Sequence, residues 1–202
     1  MADIFDEVNE DLKRDQMHKL WSRYGKYLIL VVSIVVLIVG GRQGYTTWQS
    51  RQAATAATIF HNALAEDDLT VALTVELDQL NPGYTMLAKF RIASAQASAE
   101  DYAAAEASYL ALSIDPAVKQ LYQHAAILLS VMNAPPNRST DELVARLAVL
   151  EGRAGPWQAM ALEQAAGLAL RAGDRKTAIT KYTALAGLSD ISPGVRQRAS
   201  QM

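Results

Sequence analysis

From Tyr27 to Gly41 the chain reads Y-L-I-L-V-V-S-I-V-V-L-I-V-G-G, its one uninterrupted apolar run. Lys26 closes the run on one side and Arg42 on the other. As a helix rising about 1.5 Å per residue, these 15 residues span roughly 22 Å, less than the ~30 Å hydrocarbon core of a bilayer. The flanks make up the difference. Lys26 and Arg42 can lie along apolar surface with their charges among headgroups. Trp21 and Tyr24 precede the run and Tyr45 and Trp48 follow it, an aromatic belt at each end. Taken as one helix, Trp21 to Trp48 covers about 40 Å, close to a bilayer with its interfaces. A buried core helix fits poorly, because the run is apolar all round and bookended by aromatics. A cleaved signal peptide fits poorly too. G-G-R-Q-G-Y follows the run where a small-residue cleavage site belongs, and the leading segment is long and half acidic. The run predicts an uncleaved anchor.

Lys and Arg set the expected orientation. Lys13, Arg14, Lys19, Arg23 and Lys26 precede the run; only Arg42 and Arg51 follow it in a comparable window. This bias predicts a cytoplasmic N-terminus and a body on the far side of the membrane. The expected divisions are a charged head at 1–26, a transmembrane helix at 27–44 and a folded domain at 45–202.

Charge and composition exclude several classes of function. The formal net charge is −2, and basic residues do not cluster as a nucleic-acid surface requires. The absence of cysteine excludes disulfides, thiolate metal sites and cysteine nucleophiles. In the head, Ile4, Phe5, Val8 and Leu12 form a helical stripe, with Glu10–Arg14 and Asp15–Lys19 spaced as (i, i+4) pairs. That head is either a docking helix or a solvated one whose basic end sets topology. An isolated short helix is marginal in water, which favours the second.

The body carries helical periodicity, abundant alanine and almost no strand signal. Its breaks predict helices at 43–65, 69–80, 85–97, 101–115, 117–132, 141–150, 157–172 and 176–188. Asn81-Pro82-Gly83 is expected to stop the second. Ser192-Pro193 is expected to open a last helix, ending at Gln201, through an N-cap and a first-turn proline. The second helix of each pair begins near 69, 102, 141 and 176, close to the 34-residue tetratricopeptide period. L-A-L-R-A-G-D-R-K-T-A-I-T-K-Y resembles that repeat's turn and second helix, with Ala178 small and Tyr182 aromatic. D-Y-A-A-A-E-A-S-Y-L-A-L-S-I-D-P resembles it more weakly, with Ala105 in the small position. The fold class expected is all-α: one N-terminal transmembrane helix and a degenerate tetratricopeptide-like solenoid of helical hairpins.

The whole chain resembles a known family. Phe5-Asp6-Glu7-Val8-Asn9-Glu10, Leu20-Trp21-Ser22-Arg23-Tyr24-Gly25, and Ser192-Pro193 through Arg196-Gln197-Arg198-Ala199 are similar to segments of the bacterial ancillary Sec-translocon subunit family. That family's tetratricopeptide domain is shared with a cell-division coordinator. The resemblance implies an inner-membrane protein, N-terminus cytoplasmic and C-terminal domain periplasmic, that associates with translocon subunits and periplasmic chaperones. It implies a binding function, accessory to Sec-dependent export; the alternative is an envelope scaffold in division or envelope-complex assembly.

Catalytic patterns are missing. His18, His61 and His124 are scattered, and no H-E-x-x-H, G-x-S-x-G or phosphate-cradling glycine loop occurs. His124 reads as a partly buried structural histidine. No enzyme activity, metal, cofactor or nucleic-acid partner is expected; the partners expected are proteins, with membrane lipid around the span. Gly40-x-x-x-Gly44 has membrane-dimer spacing, but Arg42 inside it and its interfacial position favour chance. Aligning Ala105 and Ala178 to the repeat's small position makes Phe90, Met160, Glu163 and Arg171 the candidate partner-binding residues. Glu163 and Arg171 face either a repeat groove or plain solvent.

Overall fold

The computed structural model describes the backbone of residues 3–202 and, beyond residue 20, every side chain except those of residues 22, 24, 25, 28 and 32. The apolar stripe of the head, its two (i, i+4) pairs and the Tyr24 ring fall outside the described side chains. Among the described residues there are nine α-helices and no strand. They are α1 (Asp3–Leu64), α2 (Leu69–Glu76), α3 (Pro82–Ser98), α4 (Tyr102–Ile114), α5 (Gln120–Met132), α6 (Thr140–Glu151), α7 (Gln158–Arg171), α8 (Arg175–Ala186) and α9 (Pro193–Gln201), with a 3₁₀ turn at Leu77–Gln79 after α2. The chain is all-α as its periodicity predicts. It divides into two units, Met1–Ala54 and Thr55–Met202.

In the first unit the described side chains of the apolar run are exposed. Side chains from Ile34 to Ile38 are 47–73% exposed, and they point to every side of the helix. Among the described residues, one helical stretch, Ile29–Leu64, is long and apolar enough to cross a membrane. Trp21, Tyr45 and Trp48 are exposed on either side of the apolar run, with the last two rings 6.1 Å apart. Lys26 Nζ lies 5.3 Å from the Tyr27 ring centroid, a cation–π contact at the start of the apolar run.

The second unit is built from helical hairpins with repeated local chemistry. Asp68, Asp101 and Asp174 cap α2, α4 and α8, each side chain accepting from backbone N–H groups of the first turn at 3.0–3.1 Å. The residues before two of these caps, Glu100 (φ 61°) and Gly173 (φ 79°), are left-handed and close α3 and α7 in the same way. Asp101 N donates to Gln96 O and Asp174 N to Ala169 O, both at 2.9 Å. Glycine adopts that conformation freely, whereas Glu100 accepts it at a cost of about 1 kcal/mol. The weaker of the two repeat-like stretches thus makes the same turn as the stronger one.

Second helices begin at 69, 102, 140 and 175, separations of 33, 38 and 35 residues. Four buried clusters follow this period. Leu73, Leu80 and Ala88 pack with Ala56 and Ala63 from the end of α1. Ala93, Tyr109, Leu112 and Ala126 join α3, α4 and α5. Leu128, Leu147, Leu150 and Ala165 join α5, α6 and α7. Leu162, Tyr182, Leu185 and Ala199 join α7, α8 and α9. Each cluster bridges successive elements only, the nearest-neighbour pattern of a solenoid.

Two expected boundaries move. Asn81-Pro82-Gly83 does not simply end a helix. Asn81 Oδ1 accepts from Tyr84 N at 3.1 Å and Pro82 occupies the first turn, so the triplet starts α3 three residues early. The fifth helix starts at Gln120, not residue 117. Asp115 takes the N–H of Ala117 at 2.9 Å and its backbone oxygen takes Gln123 Nε2 at 2.8 Å, holding residues 115–118 in a turn. The hydrogen bond from Lys89 Nζ, 2.8 Å, and that from Ala117 hold the Asp115 carboxyl below its usual range.

Small side chains sit where helices approach closely. Ala88, Ala93, Ala105, Ala126, Ala161 and Ala166 are fully buried, and Ala178 is 1% exposed. Ala178→Phe should therefore overpack the α7–α8 seam and cost about 1–3 kcal/mol, read as a lowered thermal midpoint. An unchanged midpoint would mean that this seam yields to a much larger side chain.

Candidate functional site

α7 buries Ala161, Leu162, Ala165, Ala166, Leu168 and Ala169. Its opposite stripe runs Met160, Glu163, Gly167, Arg171 at helical spacing, so three of the four predicted partner-binding residues share one face. Met160 and Arg171 are exposed, and Glu163 is half-buried. Glu163 Oε1 accepts from Arg198 Nη2 of α9 at 3.2 Å, so the terminal helix abuts this stripe. Phe90 lies elsewhere, half-buried on α3. Its ring is 6.1 Å from that of Tyr109 and packs against the α3–α5 cluster. His124 is half-buried and lines a cavity of about 190 Å³ beside Trp157, whose Nε1 donates to Leu121 O at 3.0 Å.

Charge reasoning from sequence missed the most enclosed charged group. Glu106, on α4, is 2% exposed. Its Oε2 accepts from Arg138 Nε at 3.1 Å and also from Arg138 Nη2, while Oε1 accepts from Arg146 Nη1 at 2.6 Å. Arg146 also pairs with Glu142 at 2.7 Å on α6. Burial pushes the Glu106 carboxyl up, but the hydrogen bonds and charges of Arg138 and Arg146 outweigh it and hold the group below its ordinary range. This cluster ties the second hairpin to the third. A signal existed: Glu106 interrupts the apolar stripe of α4, and Arg138, Glu142 and Arg146 alternate in sign four residues apart. A second clamp joins Glu151, at the end of α6, to Lys181 of α8.

Neither clamp has a nucleophile and a base in hydrogen-bond reach, and both act as cross-braces between hairpins. Among the described residues, no three His, Cys, Asp or Glu groups gather as a metal site. A larger groove, about 610 Å³, opens between the end of α1 and α2. Its floor is Ile59, Ala63 and Ala72.

These features define a class: a solenoid of helical hairpins, braced by buried ion pairs, in a chain that also carries a membrane-length apolar helix. The chain belongs to the tetratricopeptide repeat-like domain family, whose model matches residues 18–199. No curated protein and no solved structure matches it. Domains of this family bind other proteins and typically serve as scaffolds rather than enzymes.

Proposed function

We propose that this protein is a membrane-anchored adaptor, with residues 1–26 in the cytoplasm of a bacterial cell, 27–44 across the inner membrane and 45–202 in the periplasm. Its partners in this reading are translocon subunits and periplasmic chaperones, and its role is accessory to Sec-dependent export. One observation carries the reading: the family match begins at residue 18, ahead of the apolar run, so the span and the repeats belong to one family unit. Anchoring holds the binding surface at the membrane and raises its effective concentration toward chains emerging there. The three terminal and interfacial segments that resemble the ancillary translocon subunits support the finer assignment. An envelope scaffold is the competing reading, favoured by the domain that those subunits share with a cell-division coordinator.

The α7 stripe of Met160, Glu163 and Arg171 is the proposed contact face, with Phe90 contributing whatever part of its ring stays exposed. In-cell crosslinking followed by purification in mild detergent tests both levels. Translocon and chaperone subunits should be recovered; septal or wall-synthesis proteins instead would favour the scaffold. Reversing Glu163→Lys and Arg171→Glu together should lower capture several-fold while leaving the helical spectrum intact, because exposed ion pairs contribute only about 0–1 kcal/mol each. If the doubly reversed chain still captures partners and removal of residues 1–26 abolishes capture, recognition lies in the head or the span.

A further inference from the structure

The two ends of the hairpin array are finished differently. At the C-terminal end, α9 lies over the last hairpin and buries Ala199 against Leu162, Tyr182 and Leu185. At the N-terminal end, no described residue covers α2 in that way. Val71 is 59% and Val75 70% exposed, and both line the 610 Å³ groove between α2 and the last turns of α1. A solenoid requires a polar outer face on its terminal repeat, so an open apolar groove here departs from what solubility alone would select.

The charge around this groove has one sign. Glu66, Asp67, Asp68 and Glu76 line it, and no lysine, arginine or histidine does. Among the described residues none of the four has a cationic partner. Asp68 is fixed in place by its cap bonds to Thr70 N and Val71 N, at 3.1 and 3.0 Å. By contrast, Asp115, Glu142, Glu151 and Glu163 each hold a Lys or Arg of this chain.

We propose that the α1–α2 groove is a docking site for a basic amphipathic segment of a partner protein, one that sets aliphatic side chains against Val71 and Val75 and lysines or arginines on the acidic rim. The inference deepens the adaptor reading and rests on it. Charge selects this occupant over the others. A two-fold contact with a second copy would bring two such acidic rims face to face. The basic helix of another copy is also unsuited, because its arginines are engaged at home: Arg198 with Glu163, and Arg196 with the backbone oxygens of Leu188 and Ser189. Anionic headgroups would be repelled by the rim. The bases of this chain's own head are separated from the groove by the apolar run.

The test uses the full chain in neutral-lipid nanodiscs, with binding to empty discs subtracted. The probe is a labelled, helix-patterned peptide of lysine and leucine; matched peptides replace leucine by serine, or lysine by glutamate. Only the lysine–leucine peptide should bind, and added salt should weaken it. Glu66→Lys with Asp67→Lys should weaken binding about tenfold or more, since like charges then face each other. Val71→Ser with Val75→Ser should weaken it several-fold. All four sites are exposed, so the helical spectrum should not change. Equal binding by these variants, or equal binding of the lysine–serine peptide, overturns the groove. Self-association of the chain that disappears in Val71→Ser with Val75→Ser would overturn it as well, by giving the groove to a second copy. If the peptide fails to bind while crosslinked partners are still captured, the groove is wrong and the adaptor reading stands. If no protein partner is captured at all, the adaptor reading falls first.

Discussion

Glu106→Ala should destabilise the repeat domain by about 2–4 kcal/mol, the largest effect expected from any single surface-distant substitution here. The alanine removes one carboxylate and leaves the Arg138 and Arg146 guanidiniums without their shared partner. Breaking a fully buried pair costs about 3–5 kcal/mol, and the partial exposure of Arg138, 37%, allows water to recover some of it. For a domain of this size the melting midpoint should fall by roughly 10 °C. Glu106→Gln keeps the shape but not the charge and should fall between the two. Arg198→Ala, which breaks the exposed pair with Glu163, should shift stability by less than about 1 kcal/mol. A Glu106→Ala midpoint within a degree or two of the parent would show that the clamp contributes little, whatever its geometry.

The same carboxyl gives a pH dependence with a definite sign. Its folded value lies below the ordinary 4.5. Its contribution is therefore fully present above the unfolded value and is lost as pH falls through the depressed folded one. Acid denaturation curves of the parent and of Glu106→Gln should run parallel above that range. Below it they should converge, because the parent alone has a carboxylate to neutralise.

The second large effect concerns location. The full chain should sediment with membranes and resist alkaline extraction, while a chain lacking residues 1–50 should be soluble and helical. In the proposed anchoring, burying the exposed run from Ile34 to Ile38 would contribute about 25 cal/mol per Å² of apolar surface removed from water. The cut must stop before residue 55. Ala56 and Ala63, 3% and 5% exposed, belong to the first cluster of the repeat domain, so a chain starting at residue 69 should lose that cluster and aggregate. In the proposed orientation, a reporter active only in the periplasm should work when fused after Met202. Activity of a purely cytoplasmic reporter at that position would reverse the topology. Extraction of the full chain by alkali would remove the anchor altogether.

The candidate residues on α7 come from aligning Ala105 and Ala178 to the repeat's small position, and that three of them share a face follows from helical spacing. Met160, Glu163 and Arg171 recur at helical intervals opposite an alanine-rich face, and any helix built from that sequence displays them together. Phe90 was a matter of register. An aromatic on an amphipathic helix can face a groove or a seam, and the Tyr109 ring on α4 draws it toward the seam. Nor could spacing show that Arg198 lies 3.2 Å from Glu163, since 35 residues separate them and α9 has to fold back first.

The sequence by itself determined those features that arise within a few residues. The apolar run, the aspartate caps, the left-handed Gly173 turn, the first-turn prolines and the near-34-residue period are each set by local dihedral preference, hydrogen bonding or hydropathy. Tertiary structure alone decided the rest. It buried Leu80 and Ala88, on either side of the Asn81 cap, in one cluster with Ala56 and Ala63 from the end of α1. It enclosed Glu106 between two arginines 32 and 40 residues away, a burial tolerable only once both partners are in place. It also covered one end of the array with α9 and left the acidic, apolar groove open at the other. Local propensity fixes what each helix is; which of its faces meets protein, water or a partner depends on long-range packing that no short window of sequence contains.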